Sequence, residues 1–215
     1  MPRLPFGAEQ FFAVFGDYNL ATWPVQLLLY PVAVAAVYFA LSRRHARGRA
    51  VSLLLALLWA WSAVAYHLAF FTRINPLAYG FAAMALVGAG LFVFEGVARD
   101  RLRFTWNGGV RAWVGVGLVV FALWGYPLWS WWLGHRFPLM PTFGLPCPTT
   151  LFTIGMLGFA TPPIPRKVLA VPVLWALIGS LAAFLLGVLQ DLSLLIAALA
   201  GGAFAFDGRP TRRST

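Results

Sequence analysis

Apolar residues run through this chain in long stretches, separated by short polar turns. Seven stretches stand out, at about 22–42, 51–71, 77–97, 111–133, 149–164, 168–188 and 191–206. A helix crossing a bilayer needs about 20 apolar residues. The first three and the sixth meet that length, while the fifth and seventh are short. The fourth carries Tyr126–Pro127 in its last third, which predicts a kink. The pattern predicts an all-α, polytopic transmembrane bundle of about seven spans, forming a single integral domain over residues 1–215. Ahead of it, "FGAEQFFAVFG" at 6–16 places Ala8, Phe11, Phe12 and Phe15 on one helical face, with Glu9 and Gln10 off it. That arrangement predicts a short interfacial helix within residues 1–20. Pro5 and Glu9 interrupt the start, so no cleavable signal peptide is expected.

Composition agrees with the pattern. Of the 215 residues, 61% are hydrophobic and 10% charged, against roughly 25% charged in soluble domains. One cysteine excludes an intrachain disulfide framework. The net charge of +10 would suit nucleic acid if it were clustered on a soluble face. Instead, thirteen of the sixteen Lys and Arg residues fall in alternate loops: Arg43, Arg44, Arg47 and Arg49; Arg99, Arg101, Arg103 and Arg111; Arg166 and Lys167; Arg209, Arg212 and Arg213. Arg3, Arg73 and Arg136 occupy the other side. The asymmetry predicts an outer N-terminus and a cytoplasmic tail at 207–215, with lipid head groups as the partner of the basic charge and no nucleic acid. Trp23, Trp124, Trp129, Trp131 and Trp132 fit the outer interface, and Trp106 and Trp113 the inner one. Gly88, Gly90, Gly115, Gly117, Gly155 and Gly158 would permit close helix approach.

The fifth stretch raises the chemical question. "HRFPLMPTFGLPCPTTLFT", His135 to Thr153, holds four prolines and the single cysteine. Pro148 suits the first turn of a helix, and Pro162–Pro163 should end it after Thr161. The 13 residues of 149–161 span about 20 Å, against about 30 Å of hydrocarbon. Either the bilayer thins locally or non-helical chain completes the crossing, and such chain is tolerated at depth only against protein or a wet cavity. "PTFGLPCP" is therefore expected to dip from the outer face and line a cup. Cys147 is expected just before the helix start, where free N–H groups favour a thiolate and Thr150 can donate to it. The alternative role for Cys147 is a small buried filler.

Other polar groups fall at the same level. His67 is late in the second span, followed by Arg73 and Asn75; His135 ends the fourth; Gln26 opens the first after Asp17 and Asn19; Asp191 lies between the sixth and seventh. An ionisable group within a membrane is a functional candidate, although a helix–helix hydrogen bond explains His67 equally well. The ligand-binding candidates are His67, Asn75, His135, Cys147, Thr150, Asp191, Asp17 and Gln26. Cys147, His67 and His135 could form a soft metal site, with Asp191 beside them, on shared depth alone. No sequence motif names a cofactor. His45 lies among arginines and reads as solvated, and Glu95 with Arg99 at i+4 reads as an interfacial ion pair.

"WAWSAVAYHLAFFTRINPLAYGF" (Trp59–Phe81), "GYPLWSWWLGHRFPLMPTFGLPCPTTLFTIGML" (Gly125–Leu157) and "DYNLATWP" (Asp17–Pro24) resemble strings from a family of small bacterial multi-spanning membrane proteins of unknown function. The resemblance covers nearly the whole chain. It implies a bacterial inner-membrane location and carries no activity. The residues themselves favour binding or transport of a small solute or ion through an outward polar cup, built by the first, second and fourth spans, the Pro-rich loop and Asp191. A membrane enzyme using the Cys147 thiol and a structural subunit of a membrane complex are the competing functions. The oligomeric state is left open.

Overall fold

The computed structural model describes residues 5–42 and 47–207. Arg3, Arg43, Arg44, His45, Arg209, Arg212 and Arg213, with the tail from 208 onward, lie outside the described residues. Among those described, the chain is all-helical and contains no strand, only isolated bridges. In chain order the helices are α1 (Ala8–Thr22), α2 (Val25–Leu41), α3 (Arg47–Arg73), α4 (Ala78–Ala98), α5 (Val110–Trp132), α6 (Pro146–Gly158), α7 (Arg166–Leu185) and α8 (Leu189–Phe206). Five of them, α3, α4, α5, α7 and α8, are long and apolar enough to cross a membrane. The number is six if α1 and α2, bent by 84° at their junction, count as one broken span. Thus the seven apolar stretches all become helices, but α2 and α6 are too short to qualify alone. Just before the predicted kink site, Tyr126–Pro127, the fourth stretch runs through a π-helical turn at Phe121–Gly125. The wider turn accommodates Pro127, which has no N–H to offer the preceding turn.

On α2, α4, α7 and α8 many large apolar side chains face outward, while small residues take many of the buried positions. On α2 the fully buried positions include Ala33, Ala36 and Ala40; on α4 they include Ala78, Ala82 and Ala85. Leu177, Leu181 and Phe184 of α7 and Ile196 and Leu199 of α8 are exposed. In lipid the outward leucines cost nothing, and helices associate where small residues let their backbones meet.

The helix α6 sits at the centre. Every residue from Pro146 to Gly158 is buried except Cys147, which is partly exposed. Its neighbours are α3, α5, α7 and α8. On the α5 side the backbones touch: a Cβ added at Gly115 would lie 2.6 Å from the Gly155 carbonyl oxygen, and one at Gly158 would lie 2.9 Å from the Arg111 carbonyl oxygen. Gly88 is also tightly packed, with Val171 3.0 Å from its would-be Cβ, whereas Gly90 and Gly117 face open space. The six glycines therefore divide into packing and non-packing positions.

Both ends of α6 are closed by non-helical chain. At one end Thr161 N donates to Arg103 O (2.7 Å) and Thr105 N to Phe159 O (2.9 Å), while Arg111 Nη2 donates to Leu157 O (2.7 Å) at the helix C-terminus. Further contacts tie the basic loops to this same end: Arg49–Asp100 at 3.4 Å, Arg111–Asp207 at 3.1 Å, and Arg166 Nε to Ala205 O at 3.2 Å. Glu95, only 1% exposed, is held by Arg99 at 3.5 Å and also by Arg101 at 3.4 Å, so it is more enclosed than an interfacial pair.

The opposite end is closed by α1 and the Pro-rich loop. The phenylalanine face of α1 packs inward: Phe11, Val14, Phe15 and Tyr18 are buried, whereas Ala8 is exposed. The expected interfacial helix is thus part of the core, forming its own aromatic cluster with Phe6, Tyr66, Phe70 and Phe71. Asn19 anchors the loop, its Nδ2 donating to Pro138 O (2.5 Å) and Met140 O (2.7 Å) and its Oδ1 accepting from Thr142 (2.7 Å). Gly144, at φ +104, lies where a Cβ would collide with Leu29 and crowd the Tyr18 hydroxyl.

The α5–α6 contact generates the first prediction. Gly115→Ala forces a methyl against the Gly155 carbonyl and should destabilise the fold by about 1–3 kcal/mol, despite the gain of roughly 1 kcal/mol in helix propensity. Gly117→Ala meets nothing and should be neutral or stabilising. Thermal unfolding of the two variants in one detergent compares them directly.

An aromatic cavity closed by Cys147, Tyr126 and Asp191

Between α1, α3, α5, α6 and α7 lies a cavity of about 360 Å³. Its walls are aromatic and aliphatic. Phe6 and α1 contribute Phe11 and Phe15; α3 contributes Tyr66 and Phe71; Phe81 comes from α4; Trp175, Ile178 and Ala182 come from α7. The Pro-rich segment enters through Pro141 and through Leu145, Pro146, Cys147 and Pro148. At the rim, Leu77, Leu181 and Leu185 are exposed apolar side chains.

The helix start differs from the expected one. α6 begins at Pro146, after Leu145 in extended conformation, and so includes Cys147 and both flanking prolines in its first turn. The first-turn N–H groups have no intrahelical partner, so two prolines there leave fewer buried donors unmet. The helix keeps the predicted 13-residue length but is shifted three residues toward the loop. Cys147 is therefore inside the helix, not its cap. Thr150 is fully buried within the bundle, and its hydroxyl finds no partner among the described residues.

At the inner end of the cavity three groups meet. Tyr126 Oη donates to Asp191 Oδ1, and the Cys147 thiol contacts both Asp191 and Tyr126. Asp191 lies in the first turn of α8 and is 1% exposed; Tyr126 is equally enclosed. Trp175 Nε1 and Cys147 Sγ both sit over Gly179, 3.4 and 3.5 Å from where its Cβ would be. The thiol thus touches a buried carboxyl on one side and the cavity on the other. Tyr126 and Trp175 were not among the sequence candidates. The available signal was that a Tyr hydroxyl within an apolar span needs a partner, and that a carboxyl at the start of another span needs a donor.

The remaining candidates separate. Asn75 lines the cavity, its Oδ1 accepting from Leu77 N at 3.1 Å. His67 is 1% exposed, neither ring nitrogen is hydrogen-bonded among the described residues, and it lies against Tyr66, Phe71, Phe81 and Trp175. His135 stacks on Phe12 at 4.0 Å. Gln26 Oε1 lies 3.3 Å from Thr22 and 3.4 Å from Thr142, in the network that anchors the loop. Asp17 is exposed and pairs with Arg73 at 3.8 Å. Cys147, His67 and His135 do not form a metal set: among the described residues no group of three His, Cys, Asp or Glu side chains could hold an ion. Shared depth in the sequence did not bring them together, because aromatic rings occupy the space around both imidazoles. The first span, now α2, does not line the cavity either, and the cup is apolar where a polar lining was expected.

A helical chain with apolar outward faces and an aromatic cavity closed by a thiol, a phenol and a carboxyl is the class that fold and site define. The chain belongs to a family of unknown function, DUF6064, whose model matches residues 8–214. No curated protein and no solved structure matches it.

The position of Cys147 yields a second prediction. N-ethylmaleimide, small and uncharged, should label Cys147 in the folded protein, whereas a polyethylene-glycol maleimide should label it only after denaturation. Ala182→Trp, which places an indole in the cavity, should slow the small reagent; mass spectrometry of the single thiol reads all three.

Proposed function

We propose that this chain is an integral, multi-pass protein of a bacterial inner membrane that binds a small lipophilic molecule in the cavity beneath α1. The observation that carries this reading is the lining: eight aromatic side chains and, among the described residues, no Lys, Arg, Asp, Glu or His around about 360 Å³. Ligand pockets are mostly apolar clefts of about 300–1,000 Å³ with a few placed polar groups. Here those groups are Cys147, Tyr126, Tyr66 and Asn75. The exposed leucines at the rim suit entry from an apolar phase, and the alternation of basic loops supports an N-terminus outside with the cavity toward the outer face. A hydrated solute or ion would lose water on entry with little to replace it.

A second reading, a membrane enzyme that uses Cys147, is favoured by the contact of its thiol with Asp191 and Tyr126. Nucleophilic use of the thiol requires a base in reach, and Asp191 is the group so placed.

The binding reading is tested with N-phenyl-1-naphthylamine, a neutral aromatic fluorophore, added to the protein in lipid nanodiscs. Saturable energy transfer from tryptophan, above that of empty nanodiscs and reduced in Ala182→Trp, is the expected outcome. Transfer that never saturates, or that the variant leaves unchanged, would sink the reading.

A further inference from the structure

We infer that the cavity selects lipophilic cations, with Asp191 supplying the charge that recognises them through Cys147 and Tyr126. This rests on the cavity being a binding site and names the class of its ligand. Asp191 is 1% exposed, and among the described residues it enters no ion pair. A carboxylate removed from water is costly unless it is paired or well hydrogen-bonded. Its neighbours here are hydrogen-bond donors, not cations: the Tyr126 hydroxyl donates to Oδ1, and the Cys147 thiol is in contact with it. With no cation beside it such a buried carboxyl favours its neutral form; a cation held next to it would favour the carboxylate, which the two donors then stabilise.

The direction of those donors decides what the cavity meets. The Tyr126 proton points at Asp191, away from the cavity. At this end of the cavity a ligand meets the Tyr126 oxygen, the Cys147 sulfur and the rings around them; the other polar groups of the lining, on Tyr66, Asn75 and Trp175, are neutral. Eight aromatic side chains surround that space, and among the described residues no basic group lines it. Arg73, the nearest basic residue in the chain to the lining residues Phe71 and Asn75, is paired with Asp17 and lies over the Phe70 ring at 4.7 Å. Ring faces carry the negative part of the aromatic quadrupole, and quaternary ammonium groups are held this way in aromatic cages. A buried acid behind an aromatic wall therefore favours a ligand with an apolar body and a positive or strongly hydrogen-donating head. Carboxylates and phosphates meet ring faces with a buried acid behind them, and among the described residues only neutral donors, with no cation, to receive their charge.

The test uses three probes of matched size: phenyltrimethylammonium, its uncharged isostere tert-butylbenzene, and benzenesulfonate. Each displaces N-phenyl-1-naphthylamine from the protein in nanodiscs of zwitterionic lipid. The expected result is displacement by the cation at about one-tenth or less of the benzenesulfonate concentration, a ratio equivalent to about 1.4 kcal/mol or more. In Asp191→Asn that ratio should fall toward one. A wild-type ratio near one overturns the inference even if the variant does not fold. So does a ratio that Asp191→Asn leaves intact. Displacement by tert-butylbenzene without any preference for the cation over the anion overturns the charge selection and leaves the cavity reading standing. Failure of the fluorophore and all three probes to bind removes both.

Discussion

The structure depends on one constraint: a 13-residue helix must be placed where its ends never meet lipid. In hydrocarbon every backbone N–H and C=O must be satisfied within the protein. α6, about 20 Å long, is too short to do so across a bilayer by itself. It is therefore enclosed on all sides, and its neighbours come close because Gly115, Gly155 and Gly158 remove the side chains between α5 and α6. The strands of chain at its ends complete the accounting, 159–161 against 103–105 at one end and the Pro-rich loop held by Asn19 at the other.

The cavity follows from that enclosure. A helix that starts inside the bundle leaves space between its first turn and the outer end, and α1 closes the space by lying at 84° to α2. Phenylalanines fill this end because rings cover a large volume with few rotamers to fix. Pro146 and Pro148 let α6 begin there with fewer unmet donors. The one side chain of α6 left partly exposed, Cys147, is the one between them. Asp191 and Tyr126 come to it from α8 and α5, elements that surround α6 for packing reasons. The polar centre is thus a by-product of the arrangement that encloses the short helix, which makes its composition informative: an acid with two neutral donors behind an apolar wall.

The same chain keeps its other polar groups apart by giving each a mechanical task. Asn19, Thr142 and Gln26 fix the loop; Asp17 and Arg73 pair at the surface; Glu95 gathers Arg99 and Arg101 at the basic end. His67 is enclosed with both nitrogens unbonded among the described residues, against Tyr66, Phe71, Phe81 and Trp175. Its surroundings are those of a core residue next to the cavity.

The helical class, the apolar stretches and the short fifth helix were legible in the sequence, because hydrophobic length and proline punctuation are local properties that bilayer thickness converts into elements. Among the described residues, contacts such as Arg49–Asp100 and Arg111–Asp207 join segments that the sequence assigned to one side. Cys147, Asn75 and Asp191 were legible as rare polar groups in apolar surroundings. Their company was not. Depth along a span is readable from position, but the rotation of each helix about its axis is set by which small residues meet which backbone, and that is decided between elements far apart in the chain. Rotation placed Tyr126 and Trp175 at the cavity, turned His135 onto Phe12, buried the hydroxyl of Thr150 and folded α1 inward. Tertiary packing alone therefore decided that the cup is aromatic and that the acid lies behind it.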